Sequence, residues 1–266
     1  MLPPWQVKLE RATEQLSQYE TIVSEYMSDN PAQISQQLVL ENMIEVYLHI
    51  YKEPPLILAS LVGEIIHNLR SALDSITFEI VLKAAENRKI VIPDWCIRKI
   101  QFPIETERDS LSRYCFLDGL EEEAFYADLK ELQPFNWSKE FIADEDKLRM
   151  NNGHPLALLR ELSNKDKHRG INLVFCKLQD FYISSPVDVK TLGGLTYERN
   201  FVNGRRIFYF KIEGVGDYSL VSVVPKFGLS FRHSEYGFPN DSAGNQLRVI
   251  LNRVESDVMS LAWHIT

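Results

Sequence analysis

A long apolar run constrains the fold of this chain more than any other feature of its sequence. From Leu58 to Asn87, apolar side chains recur at helical spacing and occupy most of the circumference of the predicted helix. They are Leu61, Val62, Ile65, Ile66, Leu69, Leu73, Ile76, Ile80 and Val81. A helix that is apolar nearly all round is usually buried. We therefore predict a central helix with the rest of the chain packed around it.

A polar tract, HNLRSALD at 67–74, interrupts this run. On a helix, His67, Arg70, Ser71 and Asp74 lie on the same side. Arg70 and Asp74 also form an i, i+4 pair, so each can hold the other in place. Burying such groups without partners costs several kcal/mol each, so we expect further partners from elsewhere in the chain.

A second polar tract, NKDKHR at 164–169, ends a helix that we predict from His154 to Lys167. Basic side chains at a helix C-terminus meet the negative end of the helix dipole, and Gly170 suits a cap there. We expect the two tracts to lie close together in the fold.

Two interpretations of these tracts remain open. In the structural one, Asp166 pairs with Arg70, or Arg169 pairs with Asp74, and the pairing ties two helices together. The chain is then a non-enzymatic binding or interaction protein with a buried polar network.

In the functional interpretation, the same residues form a catalytic or ligand-binding site. Two imidazoles provide acid and base, and neighbouring cations stabilise a phosphorane or an oxyanion. The catalytic candidates are His67, Arg70, Asp74, Asp166, Lys167 and His168, and the candidates for ligand contact are Asn68, Asn164 and Arg169. Such a site needs no cofactor, and its expected partner is RNA or another phosphate-bearing ligand.

A metal site is disfavoured in both tracts. His67, Asp74, Asp166 and His168 are suitable ligand types, but the nearby cations oppose a divalent ion, and no HExxH motif is present. A further arginine–histidine pair, Arg149 and His154 in RMNNGH, is read as a solvated turn before the helix.

The remaining periodicity predicts an α+β fold over a single domain, 1–266, with helices packed on a largely antiparallel sheet. Terminal helices are expected from Trp5 to Ser28 and from Asp241 to His264, and a short helix from Glu121 to Leu132. One strand is expected in QLVLENMIEVYLHI, and further strands are expected after position 170, with a hairpin turning at Asn203–Gly204.

Composition limits the classes of protein that remain. The formal charge of −8 gives no general case for binding nucleic acid or a membrane surface, so an RNA site would have to be local. The N-terminus lacks the pattern of a signal peptide, and the apolar tracts carry charges. Cys96, Cys115 and Cys176 lack CxxC spacing and suggest reduced thiols. We expect a cytoplasmic protein that does not contact a membrane, and a homodimer is compatible with the sequence.

The segments that carry these tracts resemble a known family. The chain resembles functionally uncharacterised bacterial proteins that carry HNLRSALDH and NxDKHR motifs. The similar segments are a proline pair, GEIIHNLRSALDSI, FPIE, LQPF and HPLALLRELSNKDKHRGI. The resemblance runs from about Tyr47 to Arg169 and implies no established activity.

A looser resemblance is to HEPN domains, helical modules of bacterial toxins and antiviral defence. Many of them cleave RNA without metal, using an arginine followed at a spacing of four to six residues by a histidine. This resemblance implies a metal-independent endoribonuclease, with Arg70 as the motif arginine. Position 75, where the similar bacterial family carries the histidine, is Ser75 here, so His67 or His168 would have to replace it.

Overall fold

The computed structural model describes residues 2–40, 43–106, 108–137, 153–169, 173–184, 203–211, 222–231 and 242–265. These residues form a helix-rich α+β structure with antiparallel strands, as predicted. The helices are α1 (Pro4–Ser28), α2 (Leu56–Arg88), α3 (Asp94–Ile97), α4 (Ala124–Glu131), α5 (Pro155–Arg169) and α6 (Ala243–Ala262). The strands are β1 (Ala32–Leu40), β2 (Met43–Ile50), β3 (Leu173–Ser184), β4 (Arg206–Lys211) and β5 (Ser222–Phe231).

Helix α2 is the predicted central helix, and it lies against α1, α5 and α6. It begins directly after Pro54 and Pro55, whose rings fix φ near the value that a helix start tolerates. It ends at Lys89, which has left-handed backbone (φ 55°) and donates its N–H to carbonyls of the last turn. Most apolar side chains of α2 are buried, which confirms the inference from its all-round apolar surface.

By length and composition alone, α2 is long and apolar enough to cross a membrane, a test that the core helix of a soluble protein also passes. Just over half of its most apolar window, 56%, is buried within this fold. The contacts with α1, α5 and α6 therefore account for much of its apolar composition.

A three-stranded antiparallel sheet, in the order β1–β2–β4, adds the second layer. Alternate residues of β2, which are Ile44, Val46 and Leu48, point into the core. Ile44 lies opposite Phe210, and Val46 lies opposite Phe208. These cross-strand pairs join the sheet to the same apolar cluster as the helices.

The strand prediction was incomplete in one place. The run QLVLENMIEVYLHI was read as one strand, but the chain before position 41 forms β1, which pairs antiparallel with β2. The expected turn at Asn203–Gly204 is present, with Gly204 at φ 76°, and it leads into β4. The first arm of that hairpin falls outside the described residues. Strands β3 and β5 form a separate two-stranded antiparallel sheet.

The cysteines differ from the expectation of reduced thiols. Cys96 in α3 and Cys115 at the start of a short 3-10 turn form a disulfide, with Cα atoms 6.2 Å apart. The sequence spacing gave no sign of it, because the two residues meet only through the packing of the 90–119 connection. Disulfides are rare in a reducing cytosol, but the localisation of the protein stays a prediction.

Candidate functional site

The start of α5 is fixed by His154, which precedes Pro155. The Nδ1 atom of His154 accepts the backbone N–H of Leu156 at 3.1 Å, as an N-cap side chain does. His154 is 2% exposed and packs edge-on against Trp137. The expectation of a solvated turn was therefore wrong for His154, while Arg149 lies outside the described residues.

Helix α5 projects its polar tract in two directions beside α2. Its apolar residues Leu156, Leu159 and Leu162 are buried, which orients the helix. Asn164 and Asp166 are two positions apart and therefore point about 200° away from each other around the helix. Each of them lines a different pocket, and both pockets border α2.

The larger pocket, which we call the His67 cleft, lies between α1, α2 and α5. It is open to solvent and has a volume of about 520 Å³. Its lining is Arg11, Gln15, Ser60, Gly63, Glu64, His67, Asn68 and Asp166. His67 and Asp166 come from the two sequence tracts, so the structure does bring the tracts together here.

The inner wall of the His67 cleft is a chain of amide hydrogen bonds. Asn68 is 8% exposed and donates from Nδ2 to Oε1 of Gln15 at 2.8 Å. Gln15 in turn donates from Nε2 to the carboxylate of Glu64. Because each buried amide has a partner, α1 and α2 are held together without an unsatisfied polar group at this point.

His67 and Asp166 lie on the open side of the cleft. His67 is exposed, and its Nε2 atom is 3.5 Å from Oγ of Ser71, at the outer limit of a hydrogen bond. Asp166 is exposed and lies over Gly63, where an added Cβ would be 2.9 Å from its Oδ1 atom. Gly63 therefore makes room for the carboxylate beside α2.

Arg70 does not form the expected pair with Asp166, and the alternative pair of Arg169 with Asp74 lies outside the described residues. Arg70 and Asp74 share another partner. Both bind the extended segment QFPIE: Arg70 Nη2 donates to the carbonyl of Phe102 at 2.6 Å, and Phe102 N–H donates to Asp74 Oδ1 at 2.9 Å. Arg70 and Asp74 also pair with each other at 3.1 Å. The predicted i, i+4 pair is present, but the predicted pair of Arg70 with Asp166 is not.

The second pocket, which we call the Arg70 pocket, lies between α2, α5 and the QFPIE segment. Its volume is about 180 Å³. It is lined by Arg70, Gln101, Phe102, Ile104, Glu105, Tyr114, Arg160, Ser163 and Asn164. Burial, together with a hydrogen bond from its hydroxyl to Glu105, raises the pKa of Tyr114 above the ordinary value, so its hydroxyl stays protonated.

The sequence-based candidates therefore separate into three groups. His67, Asn68 and Asp166 lie in the His67 cleft, Arg70 and Asn164 lie in the Arg70 pocket, and Asp74 joins α2 to the QFPIE segment. Helix α5 extends to Arg169, but the side chains of Lys167, His168 and Arg169 fall outside the described residues.

Sequence reasoning missed several residues that line the His67 cleft. Ser60 and Glu64 lie on the helix face that carries His67, so their spacing in the sequence could have revealed them. Arg11 and Gln15 come from α1, whose approach to α2 is a tertiary contact with no local signal. Among the described residues, no group of three or more His, Cys, Asp or Glu side chains is placed to hold a metal ion.

The fold and the two pockets define a helix-rich α+β protein with an open polar cleft beside its central helix. No family model, curated protein or solved structure matches the chain.

Proposed function

We propose that this chain is an HEPN-like, RNA-directed protein that cleaves RNA without a metal ion, and that the His67 cleft is its site. One observation carries the proposal: His67, Asp166 and Arg11 line the same solvent-open cleft. An imidazole, an orienting carboxylate and a guanidinium are the groups that acid–base cleavage of a phosphodiester requires.

In the proposed reaction, His67 accepts the proton of a ribose 2′-hydroxyl. The 2′-oxygen forms a bond to the adjacent phosphorus, and the bond from phosphorus to the 5′-oxygen breaks. His168 supplies the proton that the leaving 5′-oxygen takes, so the products are a cyclic phosphate and a 5′-hydroxyl. Arg11 and Lys167 stabilise the charge on the phosphorane. Arg70, which the sequence favoured for that role, is instead bonded to Asp74 and Phe102.

The charge of the cleft limits how RNA would bind there. Glu64 and Asp166 together outweigh Arg11, so the lining is net negative when His67 is neutral. A polyanion is repelled by such a surface. The proposal therefore requires a short local contact, and removing one carboxylate with Glu64→Gln should strengthen RNA binding while retaining the hydrogen bond acceptor for Gln15.

The test is an RNA cleavage assay in EDTA with purified protein. We expect the wild type to cleave, and His67→Ala to reduce the rate by about 100-fold or more. His49→Ala is the matched control, because His49 lies on β2 and bonds to Ser35 away from the cleft. Absence of cleavage by the wild type, or full activity in His67→Ala, would refute the proposal.

A second candidate is an interaction protein in which the polar network is architectural. The observation in its favour is that the side chain of Arg70 is 15% exposed and binds both Asp74 and Phe102. Arg70→Ala and Asp74→Ala should then each lower the free energy of unfolding by about 2 to 3 kcal/mol, and the double variant by little more.

Urea denaturation measures that difference. Arg88→Ala is the comparison, since Arg88 lies on the same helix but pairs with Glu122 and Glu123 at the surface, where such pairs contribute less than about 1 kcal/mol. A loss in Arg70→Ala no larger than that in Arg88→Ala would rule out the architectural role.

A further inference from the structure

The residues that line the Arg70 pocket carry one more positive charge than negative charge. Two guanidiniums, from Arg70 and Arg160, border it, together with the single carboxylate of Glu105. Asp74 pairs with Arg70 from outside the pocket lining. Arg160 is therefore the cation that most lacks a close anion.

The hydrogen bonds of Glu105 and Arg160 support this reading. Glu105 accepts the Tyr114 hydroxyl at 2.6 Å through Oε1, and its other oxygen is 3.9 Å from Arg160 Nη1, too far for a hydrogen bond. Arg160 donates from Nη1 to the carbonyl of Ile104 at 2.6 Å. Its Nε and Nη2 groups have no hydrogen-bond partner among the described residues.

Arg70 is also only partly used. Its bonds to Asp74 and to Phe102 employ Nε and Nη2. Its Nη1 group has no partner within the described part of the chain. The pocket of about 180 Å³ is thus bordered by two guanidiniums that each have an N–H donor without a partner among the described residues.

Neutral donors complete the lining of the pocket on the side of α5. Ser163 is 8% exposed, and Asn164 is exposed at the rim. A hydroxyl and an amide beside planar guanidinium forks match the oxygens of a carboxylate or a phosphate.

We propose that the Arg70 pocket binds a small ligand through an oxyanion, either a carboxylate or a phosphate group. The oxyanion accepts from the free N–H groups of Arg160 and Arg70, and the amide of Asn164 closes over it. This site lies on the opposite side of α5 from the His67 cleft, so it does not depend on the proposed ribonuclease activity.

The test is isothermal titration calorimetry with sodium phosphate and, separately, sodium acetate, each at the same ionic strength in sodium chloride. We expect saturable binding of at least one of the two anions. Asn164→Asp should weaken it at least tenfold, because it adds a negative charge at the rim. Since Asn164 is exposed, this variant should fold, and thermal denaturation checks that it does.

Arg160→Gln should abolish the binding, while Arg98→Gln removes an exposed charge elsewhere and should leave it unchanged. His67→Ala should also bind normally, which separates this site from the ribonuclease proposal. Binding of phosphate alone identifies a phosphate ligand, and binding of acetate identifies a carboxylate. No saturable heat with either anion, or equal affinity in folded Asn164→Asp, would overturn the proposal.

Discussion

His154 is a buried histidine whose hydrogen bond requires the neutral imidazole. Its Nδ1 atom accepts the N–H of Leu156, and a protonated ring cannot accept there. Burial, and secondarily the charge of Arg253, lowers the pKa of His154 to about 3. In the unfolded chain the same group titrates near 6.5, so protonation favours unfolding.

The stability of the protein should therefore depend on His154 at mildly acidic pH. Because the folded pKa is depressed, the contribution is present above pH 6.5 and is lost as the pH falls towards 3. At pH 5 the loss amounts to about 2 kcal/mol. His154→Asn keeps a capping oxygen but does not titrate, so its free energy of unfolding should fall less between pH 7.5 and pH 5, as measured by urea denaturation.

Asp257 titrates in the same pH range, but its titration changes the free energy of unfolding in the opposite direction. It is 1% exposed, and burial raises its pKa to about 6 despite its ion pair with Arg253. Its contribution to stability is present at low pH and is lost as the pH rises through 6. The contribution of Asp257 is the same in the wild type and in His154→Asn, so it cancels when the two proteins are compared. Parallel pH profiles of the free energy of unfolding would contradict the prediction for His154.

At the scale of elements, the carboxylate of Asp166 on α5 lies over Gly63 of α2. A Cβ at this position would meet Asp166 Oδ1 at 2.9 Å and Cγ at 3.3 Å. Because Asp166 is exposed, its carboxylate can move away at little cost. A substitution here therefore tests whether the carboxylate is held in the cleft.

Gly63→Ala should stabilise α2 through its higher helix propensity, by at most about 1 kcal/mol. Part of that gain is lost in displacing Asp166, so the same substitution should stabilise an Asp166→Ala background more. Thermal denaturation of the four proteins in this cycle gives the difference. An equal gain in stability in both backgrounds would show that the Asp166 side chain does not contact the position of the added methyl group.

Local sequence patterns predicted the helices better than they predicted the contacts that the helices make. The all-round apolar surface of α2 and the i, i+4 spacing of Arg70 and Asp74 are both properties of a single helix, and both were recovered. The bond from Arg70 to Phe102 was not, because it joins residues that are distant in sequence and carry no periodic signal. The prediction did not separate β1 from β2, although Glu41 and Asn42 interrupt the apolar run and asparagine favours turns.

At the scale of the whole molecule, the Cys96–Cys115 disulfide is the one covalent link between distant parts of the described chain. It spans a sequence separation of 19 residues, and closing a loop of that size stabilises a fold by about 3 kcal/mol. Cys115 follows Tyr114, so the disulfide also fixes one wall of the Arg70 pocket.

Reduction should therefore lower the free energy of unfolding by about 3 kcal/mol, measured by urea denaturation with and without dithiothreitol. The double variant Cys96→Ser/Cys115→Ser should not respond to the reductant, whereas Cys176→Ser should respond like the wild type. Thiol titration of the unreduced, unfolded protein should find one free thiol. Three free thiols would mean that the pair is not bonded in solution.

The opposed directions of Asn164 and Asp166 have a thermodynamic consequence. The last turns of α5 border both pockets. A ligand that orders this end of the helix by binding in one pocket therefore lowers the entropic cost of binding a second ligand in the other pocket. Two ligands of unrelated chemistry would then bind with positive cooperativity, and neither would need to change the shape of the protein.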